Sequence, residues 1–153
     1  MAVIFLTAAS WKQVLKPFLV RWEGFRSFPK WDFKQWSWGY GSRVPGSVDD
    51  PNINPGGQIT RAAAMMEALK HVNKDYEYLK QLVKVHLKPK QWAALLSFSY
   101  NLGPGNADNL VSDINGGNID SLGARWNSYI TAGGTIKQDL INRRAAEWEL
   151  YSS

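Results

Sequence analysis

At 153 residues the chain is long enough to bury one domain-sized core, and no shift in composition marks a second. Eighteen Lys and Arg against thirteen Asp and Glu give a formal net charge of +5, which suits an anionic partner such as nucleic acid, anionic lipid or bacterial cell wall. The absence of cysteine excludes disulfides and thiolate metal sites, and scattered basic residues without a repeated spacing set nucleic acid aside.

Residues Val3 to Ala9 are apolar, but Lys12 and Lys16 interrupt the run well short of the ~20 residues that a bilayer span requires. No positive charge precedes it, as a secretory signal would require. The expectation is a protein without membrane insertion that accumulates in the cytoplasm of the cell that makes it. From Ser10 the apolar residues Trp11, Val14, Leu15, Phe18, Leu19 and Trp22 follow the spacing of one helix face, with Ser10 as N-cap and Gly24 as stop. Pro17 predicts a kink there, or a second helix starting at Pro17.

Between Phe25 and Ile59 aromatics alternate with small and polar residues, and a Pro/Gly/Asn-rich stretch runs from Asp49 to Gly57, which predicts a small irregular sheet with a long loop. Thr60 caps a long helix with the face Met65, Leu69, Val72, Tyr76, Leu79 and Val83. Pro89 opens the next helix, where Trp92 to Phe98 leave almost no polar face until Asn101-Leu102-Gly103 ends it; this should be the buried centre. Shorter helices are predicted near Asn106 to Ile114, Ile119 to Tyr129 and Lys137 to Leu150, separated by Gly116-Gly117 and Gly133-Gly134. Most of the eight tryptophans should be core. His71 and His86, without a second ligand at helical spacing, read as surface or partly buried helix residues, so no metal is expected.

One segment stands apart: Glu23-Gly24-Phe25-Arg26-Ser27-Phe28-Pro29-Lys30-Trp31-Asp32, then Trp36-Ser37-Trp38-Gly39-Tyr40-Gly41. It sets two carboxylates nine positions apart, one at a helix end and one entering an aromatic hairpin. Glycosidic cleavage uses such a pair, one protonated to donate to the leaving oxygen and the other ionised to activate water or stabilise the oxocarbenium-like centre. The helix dipole and an apolar cover of Trp22, Phe25 and Phe28 would favour the protonated form of Glu23, and Lys30 and Lys34 the ionised form of Asp32. The alternative is that Glu23 pairs with a nearby Arg and Asp32 merely opens a turn.

The whole segment resembles the phage-type lysozyme and endolysin family of muramidases, in which Glu-Gly follows a short amphipathic helix, Asp or Cys comes nine residues later and Thr precedes a Gly-x-Gly hairpin. The block from Gln91 to Gly103 is similar to that family's central helix, and the block from Leu140 to Glu147 to its closing helix. Nearly the whole chain from Leu15 onward is covered. The resemblance implies a single α+β, lysozyme-like domain over residues 1–153, mainly helical, with a sheet lobe at about 25–59, a helical lobe at about 60–153 joined by the N-terminal helix, and a cleft between them. It implies Glu23 as catalytic acid, with Asp32 and Ser37 positioning water, and no cofactor or metal. Ser37 lies five residues after Asp32, where the family Thr lies six after its Asp. Serine keeps the hydroxyl, while the missing residue leaves its alignment with Asp32 open. Ser42 replaces the His that often follows the second glycine. Arg143 matches a family position near the catalytic Glu and orients Glu23, or is a solvated helix-end arginine. Asn101 faces the cleft or caps its helix.

The implied substrate is bacterial peptidoglycan, cleaved at the β-1,4 bond between N-acetylmuramic acid and N-acetylglucosamine by a monomer that causes host lysis. The implied protein stays in the host cytoplasm until a separately encoded pore releases it. A lytic transglycosylase is the nearest enzymatic rival, but that reaction needs no water-activating carboxylate. A non-catalytic wall-binding module and membrane disruption by the basic segment from Lys137 to Tyr151 are the competitors from other classes.

Overall fold

The structure is a computed structural model that describes residues 10–153; the apolar run from Val3 to Ala9 lies outside the described residues. The chain divides into two compact units, one of Lys16–Lys74 and the other of Asp75–Ser153 with the start of the chain through Leu15.

Helix α1 (Trp11–Glu23) passes through Pro17 as one unbroken helix, so no second helix begins there. Pro17 removes the N–H that would bond to Gln13, but both residues lie on the exposed side, where water can take the freed carbonyl. Leu15 and Leu19 are the fully buried positions of the predicted face. Gly24, at φ 67, stops the helix in the left-handed conformation that favours glycine.

In the Lys16–Lys74 unit an antiparallel sheet follows, β1 (Arg26–Trp31), β2 (Trp36–Gly39) and β3 (Ser42–Arg43), in that order. Trp31 pairs with Trp36 and Lys30 with Ser37, and the register shifts before Arg26 pairs with Gly39. Residues 44–60 form the predicted long loop, tied back by Ile59 N–H donating to Ser27 O at 2.9 Å and Trp36 Nε1 donating to Asp50 O at 2.9 Å. Thr60 caps α2 (Arg61–Leu82), its Oγ1 accepting from the Ala63 N–H at 3.1 Å. The buried face of α2 is rotated from the predicted one: Ala64, Ala68, Val72 and Leu79 are buried, whereas Met65 and Leu69 are only half-buried. A Cβ at Gly39 would come 2.9 Å from the Ala64 Cβ, so β2 approaches α2 too closely for large side chains between them.

In the Asp75–Ser153 unit the centre is α3 (Pro89–Leu102), in which every residue from Ala93 to Ser99 is buried, as its sequence predicts. Around it lie α4 (Pro104–Gly116), α5 (Ile119–Trp126) and α6 (Gln138–Ser152). Helix α5 stops at Trp126, short of the predicted Tyr129, and the residues between Trp126 and α6 include a hairpin that was not predicted, β4 (Thr131–Ala132) and β5 (Thr135–Ile136). Its turn, Gly133-Gly134, has φ 59 and 77, the positive values that a two-residue hairpin turn favours. His71 is exposed on α2, but His86 lies in the loop before α3, contrary to its reading as a helix residue. Of the tryptophans only Trp36 and Trp126 are buried; the other six keep part of their surface in water, so most are not closed core.

Helix α6 buries both arginines of the segment read as basic. It turns Arg143, Arg144, Glu147 and Tyr151 inward. Glu147 Oε1 accepts from Ser97 Oγ at 2.8 Å, Arg144 Nη2 at 3.0 Å and Arg143 Nε at 3.2 Å, and Oε2 accepts from Trp126 Nε1 at 3.1 Å. Burial pushes the Glu147 carboxyl up from its ordinary range, against the pull of both guanidinium groups and the neutral donors. Removing one member of such a buried set leaves the others uncompensated, at a cost of about 3–5 kcal/mol. Glu147→Gln, which keeps the volume and loses the charge, should therefore lower stability by about 3 kcal/mol. Urea unfolding measures this, and an unchanged midpoint at an unchanged slope would show that the cluster is not structural.

Candidate active site

The site is built where α1 ends and the first hairpin begins. Glu23, the last residue of α1, is half-buried. Phe25 beside it packs on Tyr40 at a ring separation of 5.7 Å, with the Arg61 guanidinium 4.5 Å from its centre. Phe28 is 62% exposed and does not line the cavity, so the apolar cover expected from it is not there.

Asp32 opens the turn between β1 and β2. Its N–H donates to Gln35 O at 3.0 Å and its Oδ1 accepts from the Gln35 N–H at 3.2 Å, so the turn-opening role read as an alternative is real. The same carboxylate also accepts from Ser37 Oγ, through Oδ2 at 2.6 Å. Phe33 in this turn sits at φ 81 and is 97% exposed, a left-handed conformation that costs a non-glycine residue about 1–2 kcal/mol. Pairing of Trp31 with Trp36 keeps the loop to four residues, and Ser37, buried on β2, is thereby brought to Asp32 despite the shortened spacing.

Glu23, Asp32 and Ser37 line one cavity of about 190 Å³, together with Gly24, Arg26, Trp38, Gly39 and Gly41. That is smaller than the ~300–1,000 Å³ pockets that enclose whole small ligands, and suits one reacting stretch of a longer chain. Gly41, at φ 89, lies against the acid: a Cβ there would be 3.7 Å from Glu23 Oε2. Arg26 and Trp38 had no role assigned from sequence. A lone arginine after a helix stop carries no periodic signal, and only the fold shows that it lines the carboxylates' cavity.

Asn101 and Arg143 belong to the other unit. Asn101 lies in the last turn of α3, where Gly103 is the C-cap, and its Oδ1 accepts from Arg144 Nη2 at 2.8 Å. Arg143 is 4% exposed, which overturns its reading as a solvated helix-end arginine; its Nη2 donates to Ser97 O at 3.1 Å. Among the described residues no group of three His, Asp or Glu is placed to hold a metal ion, and no helix is long and apolar enough to cross a membrane.

A family model described as phage lysozyme matches residues 20–147. An endolysin of Bacillus phage PZA is 36% identical over 73 residues, 46% of this chain and only 28% of the length of that relative. In solved structures the fold matches the muramidase domain of SpmX from Asticaccaulis excentricus with a TM-score of 0.77, at 22% identity, over 90% of this chain and 93% of that one. It matches an endolysin of the Escherichia coli phage FAHEc1 with a TM-score of 0.76, at 22% identity, over 96% and 94%. These likenesses make the fold α+β and lysozyme-like, and with the family match over most of its length the chain belongs to the phage lysozyme family.

Proposed function

We propose that the chain is a muramidase that hydrolyses the β-1,4 bond between N-acetylmuramic acid and N-acetylglucosamine in bacterial peptidoglycan, acting as a monomer without metal or cofactor. The observation that carries this reading is the 2.6 Å bond from Ser37 to Asp32 in the same cavity as Glu23, because it pairs a helix-end carboxyl with an oriented carboxylate.

In this reading Glu23 gives its proton to the glycosidic oxygen as the bond from that oxygen to the anomeric carbon breaks. Asp32 is ionised and faces the positive charge that develops on the sugar ring. A water molecule adds to the anomeric carbon and loses a proton to Asp32, and the acid is restored by exchange with solvent. Ser37 uses its one O–H on Asp32, so its oxygen lone pairs are left to accept from that water. The Asp32–Ser37 pair supports hydrolysis over the transglycosylase reaction, which adds no water and has no use for it. A wall-binding module would need neither carboxylate.

Glu23→Gln should lower the release of reducing ends from purified peptidoglycan about 100-fold or more, since the amide cannot serve as the acid. A folded Gln variant, checked by circular dichroism, that clears peptidoglycan at the wild-type rate would refute the assignment. Ser37→Ala should reduce turnover about 10-fold or more, because a positioned hydrogen bond to a reacting group is lost with little packing volume. Ser37→Thr keeps the hydroxyl and should retain more activity than Ala, even if its methyl crowds the buried site. Hydrolysis rates at matched folded fraction check both, and an Ala variant as active as wild type would remove Ser37 from the reaction.

A further inference from the structure

The chain has seven arginines, and six of them are engaged within the fold. Arg43 pairs with Asp49, Arg125 with Asp113, and Arg143 and Arg144 with Glu147. Arg21 lies over the Trp22 ring and Arg61 over Phe25. The Arg26 side chain alone has no ion pair, hydrogen bond or ring contact among the described residues, yet Arg26 lines the cavity that holds Glu23, Asp32 and Ser37. Two carboxylates share that cavity with it, and it forms an ion pair with neither. The register shift between Arg26 and Lys30 sets Arg26 apart from the rest of its strand, and such irregularities re-aim side chains beside active sites.

An arginine that lines a reaction cavity, exposed and without an internal anion, is matched to an anion that arrives with the substrate. Its planar fork suits a carboxylate, which it can bind with two parallel hydrogen bonds. Peptidoglycan differs from neutral β-1,4 aminosugar polymers in carrying peptide carboxylates next to the bonds to be cut. We propose that Arg26 is a substrate-binding residue that reads a carboxylate of the peptide borne by the muramoyl sugar, and so distinguishes peptidoglycan from uncharged glycan. This rests on the muramidase reading, and adds to it a determinant of specificity outside the acid and the water-positioning pair.

The test compares native peptidoglycan sacculi with sacculi whose carboxyls have been converted to amides by carbodiimide and ammonium. On native sacculi Arg26→Gln should raise KM about 10-fold with kcat and the pH–rate profile little changed, a size that allows for solvent exposure of the pair. On amidated sacculi the variant and wild type should coincide. Arg26→Lys, which keeps the charge and loses the fork, should fall between. Lys30→Gln removes the same charge outside the cavity, and an equally large effect from it would reduce the result to long-range attraction and overturn the proposal. So would an Arg26→Gln variant equal to wild type on native sacculi, or one impaired by the same factor on both. If wild type releases no reducing ends from native sacculi, the muramidase reading fails by itself. Co-sedimentation of Glu23→Gln and Glu23→Gln/Arg26→Gln with the two sacculi then decides the role of Arg26, and equal sedimentation of the two variants with native sacculi overturns it.

Discussion

The Asp75–Ser153 unit is organised by one buried carboxylate. Glu147 has no exposed surface, and a charge so placed is tolerated only if donors meet both its oxygens. Those donors come from three helices: Ser97 on α3, Trp126 on α5, and Arg143 and Arg144 on α6 itself. Arg144 reaches on to Asn101 in the last turn of α3, and its guanidinium lies 4.9 Å from the centre of the Phe98 ring. A slip of α6 along α3 by one turn would take Ser97 and Trp126 away from Glu147 at once, leaving it only the arginines of its own helix. The cluster therefore sets register. As a source of net stability it counts for less, since desolvation of its charges offsets much of their attraction.

The Lys16–Lys74 unit applies the same principle to a shorter span. The Asp32 carboxylate is exposed, so its burial costs nothing, but it too is tied by both oxygens, one to the Gln35 N–H and the other to the Ser37 hydroxyl. A free aspartate side chain would sample several rotamers, whereas this one is held by the turn it opens and by the strand that follows. The tie also resolves the spacing of Ser37. A hydroxyl five residues after the carboxylate reaches it because the turn closes in four, which the pairing of Trp31 with Trp36 enforces.

What could be read from the sequence was what depends on local pattern. The apolar run Trp92 to Phe98 has no polar face and forms the buried helix; Thr60 and Gly24 mark helix ends through their own hydrogen bond and backbone angle. The segment that contains Glu23, Asp32 and Ser37 was legible because its resemblance to a family spans the two strands that bring the residues together. What was not legible depends on distant neighbours. The spacing puts the face of α2 on Met65 and Leu69 because larger apolar side chains dominate any pattern, while the closeness of Gly39 selects Ala64, and Ala68 is buried one turn further on. The hairpin at Thr131 to Ile136 has two-residue exposed strands with no apolar alternation to announce it. The burial of Arg143 is likewise a fact about α3 and Glu147, and nothing around Arg143 in the chain records it.

The two glycines of Trp38-Gly39-Tyr40-Gly41 show how the fold makes room for chemistry, and they do so for partly different reasons. At Gly39 conformation and contact both constrain: φ is 61, and a methyl group would come within 2.9 Å of Ala64, so any larger residue must push β2 away from α2 and with it Ser37, two positions earlier on the same strand. At Gly41 the constraint is conformation: φ is 89, which side-chain-bearing residues rarely adopt, and there is no backbone contact in the way. The atom nearest to an added methyl there is Glu23 Oε2, so the bare α-carbon of Gly41 lies against the carboxyl that has to meet a sugar oxygen. One glycine thus holds the Asp32–Ser37 pair at its depth, and the other leaves the acid uncovered. The site is maintained by the absence of two side chains as much as by the presence of three.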